Sequence, residues 1–141
     1  MNRRAILAAL VAVPATARAH SYKQGVIAIG HAWALPAAQG DGQVFFPLSN
    51  TGEKPDALVG ARSNICALIE LRRNNRYDDP PLGSLSLEPD KPVPMRPTAR
   101  HLRLVSLRQP LIRGETFSLI LDFLSAGEIE ITVYVESAPG D

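Results

Sequence analysis

Apolar residues in this chain come in bursts of five to ten, each closed off by turn-forming residues. That rhythm constrains the fold more than any other feature. "VIAIGHAWAL" (26–35), "QVFFPLSN" (43–50), "ALIELR" (67–72), "LSLEP" (85–89), "HLRLVSL" (101–107), "FSLILDF" (117–123) and "IEITVYVE" (129–136) each read as strands. Between them lie "NTGEKPD", "NNRYDDPPLG", "EPDKPVP", "IRGET" and "SAGE", all rich in Gly, Pro, Asn or Asp. Beyond residue 19 no stretch sustains the 3.6-residue period of an amphipathic helix. The spacing predicts one all-β domain, a sandwich or barrel of about seven to nine strands. Pro47 falls inside one burst and cannot donate to a ladder, so it marks an edge or a bulge.

The chain opens with "MNRRAILAALVAVPATARAH". Arg3 and Arg4 form a positive start, Ala5 to Val13 an apolar centre, and Ala17-Arg18-Ala19 a small-residue cleavage site, the three parts of a signal peptide. The apolar run is too short to span a bilayer. We read 1–19 as the signal peptide and 20–141 as the mature β domain, exported to the periplasm with no transmembrane segment after cleavage. Whether export is by the general or the twin-arginine route is left open by the Arg pair alone. Removing the three arginines of 1–19 from fifteen basic residues leaves twelve against fourteen acidic, a net charge of −2. Nucleic-acid binding therefore has no electrostatic support. A single cysteine, Cys66, excludes an intrachain disulfide and reads as a core residue.

Three stretches, taken in order, resemble the PCuAC-type periplasmic copper chaperones. "YKQGVIAIGHAW" is similar to that family's opening strand. "LSNTGEKPDALVGARS" is similar to its second strand, Asn-Thr-Gly turn and following Asp-x-Leu segment, and "HLRLVSLRQPLIRGETFSLILDFLSAGEIEITVYV" to its closing section. The resemblance covers nearly all of 20–141 and implies a cupredoxin-like β-sandwich that carries copper. It also implies a Cu(I) site of two histidines and two methionines, because soft thioethers suit Cu(I). Here Arg72 stands at the first His position, Gly83 lies near the first Met position, His101 is retained, and Arg103 replaces the second Met. Met95 aligns with an apolar strand position. Guanidinium stays protonated and has only donors. Each would repel a cation by roughly 4 kcal/mol per unit charge at about 4 Å with an effective dielectric near 20. The usual Cu(I) site is absent.

The remaining histidines outline a different site. Cleavage after Ala19 makes His20 the N-terminus, where its α-amine and imidazole can chelate one metal and a second histidine can add a third nitrogen. Such a histidine brace suits Cu(II), and some PCuAC-like proteins lacking the His/Met motif resemble this picture. His31, eleven positions on, is one candidate partner; alternation groups it with Ile27 and Ile29, so it also reads as a partly buried structural histidine. His101, the weakest candidate, also reads as a solvated histidine on a strand face shared with Arg103.

No Ser/His/Asp or Cys/His nucleophile arrangement and no Gly-rich phosphate loop is legible, and Asp78-Asp79 precede Pro80-Pro81 in a turn. The chain is not expected to be an enzyme. Two readings follow. In the first it is an exported copper carrier, holding Cu(II) at His20 and giving it to, or taking it from, a periplasmic or membrane copper protein. In the second it is a metal-free relative that grips an anion or docks a partner through an arginine face centred on Arg72 and Arg103.

Overall fold

The computed structural model describes residues 21–137, and all its regular structure is β. Eleven strands run β1 (Tyr22–Gln24), β2 (Ile27–Ile29), β3 (Trp33–Ala34), β4 (Gly42–Phe45), β5 (Leu48–Asn50), β6 (Asp56–Arg62), β7 (Cys66–Arg72), β8 (Leu85–Leu87), β9 (His101–Leu107), β10 (Thr116–Phe123) and β11 (Gly127–Val135). Eight of them form one sheet in the order β7-β9-β4-β3-β11-β10-β6-β8, antiparallel except for β3 against β11. A bridge between Leu71 and Leu82 joins the two edges, where the Leu82 N–H donates to the Leu71 carbonyl at 2.8 Å. The sheet thereby curls into a nearly closed barrel, which covers most of its own edges. A small sheet, β1-β2-β5, packs on it. No helix among the described residues is long and apolar enough to cross a membrane.

The architecture is the expected all-β, cupredoxin-like one, with more and shorter strands than the seven to nine counted from the sequence. Two bursts each break in the middle. In 43–50 the break falls at Phe46-Pro47, where proline cannot supply the ladder N–H. In 26–35 the buried positions are Ile27 and Ile29 before the break, but Ala32 and Ala34 after it. The alternation slips by one residue as the chain leaves the small sheet for the large one. The crossing is tight: a Cβ on Gly30 would lie 2.4 Å from the Pro47 ring. This slip corrects the reading of His31, which lies in the break and not on the face of Ile27 and Ile29. Strand β6 went unread because Asp56, Ala57, Gly60 and Ala61 are poor strand formers; tertiary pairing with β10 and β8 imposes extension there.

One contiguous core fills the barrel, from Val44, Leu58, Leu102 and Leu104 to Leu119, Leu121 and Val133. Cys66 is part of it, and burial pushes its thiol up from the ordinary value. Met95 packs against the core from a loop outside any strand. Two buried polar side chains tie the turns down. Asn50 donates to the carbonyls of Lys54 and Leu87, both at 2.8 Å, and so fastens the Asn-Thr-Gly turn to β8. Asp56 accepts from the backbone N–H groups of Ala57, Ser125 and Ala126, closing the turn between β10 and β11.

Candidate functional site

Strands β7 and β9 pair so that Arg72 lies opposite His101 and Glu70 opposite Arg103, while Gln43 of β4 lies on the far side of Arg103. Alternation puts these side chains on one face, away from Leu71 and Leu102. The segment after β7 folds over that face and carries Tyr77 onto it.

The result is an internally paired polar cluster, not an unanswered cationic face. Arg72 is only 2% exposed. It donates to the Glu70 carboxylate at 3.1 Å and to the carbonyls of Arg76 and Asp79 at 2.9 and 2.8 Å. Arg103 donates to Glu70 at 3.2 Å and, through two nitrogens, to Asp41. Both guanidiniums lie near the Tyr77 ring, with Cζ to centroid distances of 5.1 Å for Arg72 and 4.1 Å for Arg103, within cation–π range. Asp41 also accepts from the Ser106 N–H at 2.9 Å. That bond, with the Arg103 guanidinium, holds its carboxyl below the usual range against the opposing effect of desolvation.

His101 is fully buried, which corrects the expectation of a solvated histidine. Its Nδ1 lies 2.8 Å from the Ala99 carbonyl, so Nδ1 carries the proton and donates. Nε2 then accepts, and the Tyr77 hydroxyl is 2.7 Å from it. The Gln43 amide nitrogen is 3.2 Å from the same Nε2. Burial first, then the charges of Arg72 and Arg103, lower its pKa from the ordinary value, with the Ala99 hydrogen bond opposing. The ring is thus neutral, with its lone pair turned to the Tyr77 hydroxyl and two arginines nearby.

The Arg72–Arg103 patch is likewise corrected. The two arginines do converge, as the resemblance implied, but they turn onto carboxylates and carbonyls. A guanidinium pair now occupies the position that the resemblance gives to a monovalent metal, with Glu70 and Asp41 as its counter-charges. Sequence reasoning missed Glu70, Asp41, Gln43 and Tyr77. Glu70 was legible in principle, being two residues before Arg72 on the same strand face. Tyr77 and Asp41 come from loops and carried no periodic signal.

His31 sits on the other side of the β3–β4 unit, with its side chain about one-third exposed (34%). Its Nε2 lies 3.0 Å from a Glu136 carboxylate oxygen, and its ring is 5.4 Å from that of Tyr134. The structure therefore does not bring His31 and His101 into one site. His20 lies outside the described residues. Among the described residues, no three His, Cys, Asp or Glu side chains are grouped to hold a metal ion.

Comparison with known proteins matches residues 27–135 to the LpqE-like family. Among solved structures, the copper-bound PCuAC domain from PmoF2 is 26% identical, with 84% of this chain and 98% of that one covered and a TM-score of 0.76. The apo PCuAC domain from PmoF1 is 20% identical over 84% of this chain and 99% of that one, TM-score 0.77. The Cu(I) form of DR1885 from Deinococcus radiodurans is 20% identical over 77% and 78%, TM-score 0.62. A search of curated protein sequences found no match.

Proposed function

The chain belongs to the LpqE-like family and has the PCuAC-type fold, and from that premise we propose that it is an exported copper carrier. It holds Cu(II) at the mature N-terminus, with His20 supplying its α-amine and imidazole and His31 a third nitrogen.

The observation that carries this reading is the setting of His31, which follows β2, the strand paired with the N-terminal β1. A carboxylate on one ring nitrogen is the partner that metal-binding histidines commonly take, fixing the tautomer and leaving coordination to the other nitrogen. Glu136 stands in that relation to Nε2, while Tyr134 flanks the ring. A nitrogen set without thioether suits Cu(II), whereas soft sulfur ligands favour Cu(I). The guanidinium-filled cluster at Arg72 and Arg103 takes no part in copper binding. As a carrier, the protein passes copper to, or receives it from, another periplasmic or membrane copper protein.

The test compares protein beginning at His20 with a version bearing one extra residue before it. The first should bind one Cu(II) and give a type-2 electron paramagnetic resonance signal with nitrogen couplings. The extra residue takes the amine out of the chelate ring and should weaken binding more than a hundredfold, with unfolding unchanged. His31→Ala should weaken it strongly and His101→Ala hardly at all. Equal Cu(II) affinity in the extended version would overturn the reading.

A further inference from the structure

At one end of the barrel, where its two edges meet, is a recess of about 250 Å³ lined by Arg73, Leu82, Ser84, Leu85, Ser86 and Arg100. The β7–β9 register pairs Arg72 with His101. The ladder ends there, and the next residue on each side, Arg73 and Arg100, lines the recess. Two like charges gathered at one recess repel each other unless they are answered. Within the ladder such a charge is answered, Glu70 standing opposite Arg103 in an ion pair. Arg73 and Arg100 have no such relief: among the described residues neither is in an ion pair, and no carboxylate lines the recess.

The wall facing the arginines is built by alternation. Leu85 and Leu87 of β8 turn into the core, so Ser84 and Ser86 turn outward. Ser86 is held in place by pairing of β8 with Ala57 of β6. The bridge from Leu71 to Leu82 fixes the floor and keeps the two walls together. The recess is therefore lined by two arginines and two serines, with Leu82 and Leu85 beside them. One fork saturates a carboxylate's two oxygens, whereas a tetrahedral oxyanion has oxygens left for the opposite wall.

We infer that this recess is a binding site for a phosphate-type oxyanion, held between Arg73 and Arg100 with Ser84 and Ser86 completing its hydrogen bonds. The anion offsets the repulsion between the two arginines that line the recess, a contribution that the neighbouring Arg72–Arg103 cluster obtains internally from Glu70 and Asp41. The site is separate from the His20–His31 proposal and stands or falls independently of it.

The experiment titrates the mature protein with inorganic phosphate at constant ionic strength, following backbone amides and the arginine Nε–H groups by ¹H–¹⁵N correlation spectra. The expected result is saturable shifts confined to Arg73, Ser84, Ser86 and Arg100. Arg73→Glu and Arg100→Glu should each weaken binding at least tenfold. Both side chains are exposed, so the rest of the spectrum should stay unchanged; Arg100→Gln gives a milder second variant with the same direction of effect. A parallel arm measures co-sedimentation with phosphatidylglycerol vesicles against phosphatidylcholine vesicles. Retention on the former that Arg100→Glu abolishes supports the site with a lipid headgroup as the source of phosphate. Phosphate binding without retention supports it with a soluble anion as the source. Shifts that grow linearly, spread to Arg62, Arg108 and Arg113, and persist in Arg100→Glu would overturn the inference.

Discussion

Replacing Arg72 by methionine would keep most of the side-chain volume while removing the charge from the centre of the buried cluster. Three partners are affected. The carbonyls of Arg76 and Asp79 lose their donor, and Glu70 loses one of its two guanidiniums. The carbonyls belong to a surface segment and can recover some water, so about 1 kcal/mol each is reasonable. A hydrogen bond between charged groups contributes about 1.5–3 kcal/mol. The sum, about 3–5 kcal/mol, matches the usual cost of removing one partner from a buried ion pair. It would be a large part of the stability of a domain this size. With an m-value in urea of about 2 kcal/mol/M, the unfolding midpoint should fall by about 2 M. Arg103→Met is the control. That guanidinium is 20% exposed and its partner Asp41 is 32% exposed, so solvent screening reduces the loss to about 1 kcal/mol. Equilibrium unfolding in urea with a chelator present measures both, and Glu70→Gln combined with Arg72→Met should reveal a coupling of about 1–2 kcal/mol. A loss below 1 kcal/mol for Arg72→Met, or one smaller than for Arg103→Met, would refute the claim that the cluster is a buried, internally neutralised replacement for a metal.

Restoring Cu(I) binding should take more than the two arginines: Arg72→His with Arg103→Met leaves the thioether position at Gly83 empty and His101 bonded to Tyr77. Adding Gly83→Met, where no atom lies within 4 Å of a new Cβ, together with Tyr77→Phe, should raise Cu(I) affinity at least tenfold over the double variant in a chelator competition under reducing conditions. Acid should destabilise the protein through His101, whose folded pKa lies below its ordinary value of 6.5. The unfolded chain then binds the proton first, so stability is full above about pH 6.5 and declines as pH falls towards the folded pKa. Asp41, also lowered, adds a second decline below about pH 4. Unfolding free energies from pH 7.5 to 5 should lose their slope in His101→Gln; an unchanged slope would place the titration elsewhere.

Alternation and turn chemistry made the all-β architecture legible from the residues alone. Strand β9 is an example: Leu102 and Leu104 set its phase, and its bounds, His101–Leu107, are those read from the sequence. That Arg72 and Arg103 cannot act as metal donors was equally a property of the sequence, because no folding can make a guanidinium give up a lone pair to a metal. What periodicity could not reveal is how each residue's chemistry is answered by partners distant in the chain. His101 and Arg103 read as a solvated face, since a strand pattern specifies which side a residue takes but not what covers that side. The segment 73–82, with Tyr77 near its centre, covers His101 and Arg72 and leaves Arg103 and Asp41 partly exposed. His31 lost its predicted face because the chain crosses between two sheets at Gly30 and Pro47, and a one-residue slip inverts every side chain beyond it. Arg73, Arg100, Ser84 and Ser86 line one recess only because the barrel's edges meet at Leu71 and Leu82. Local rules act over a few residues, whereas charge and hydrogen-bond satisfaction are settled by whichever neighbours closure of the sheet supplies.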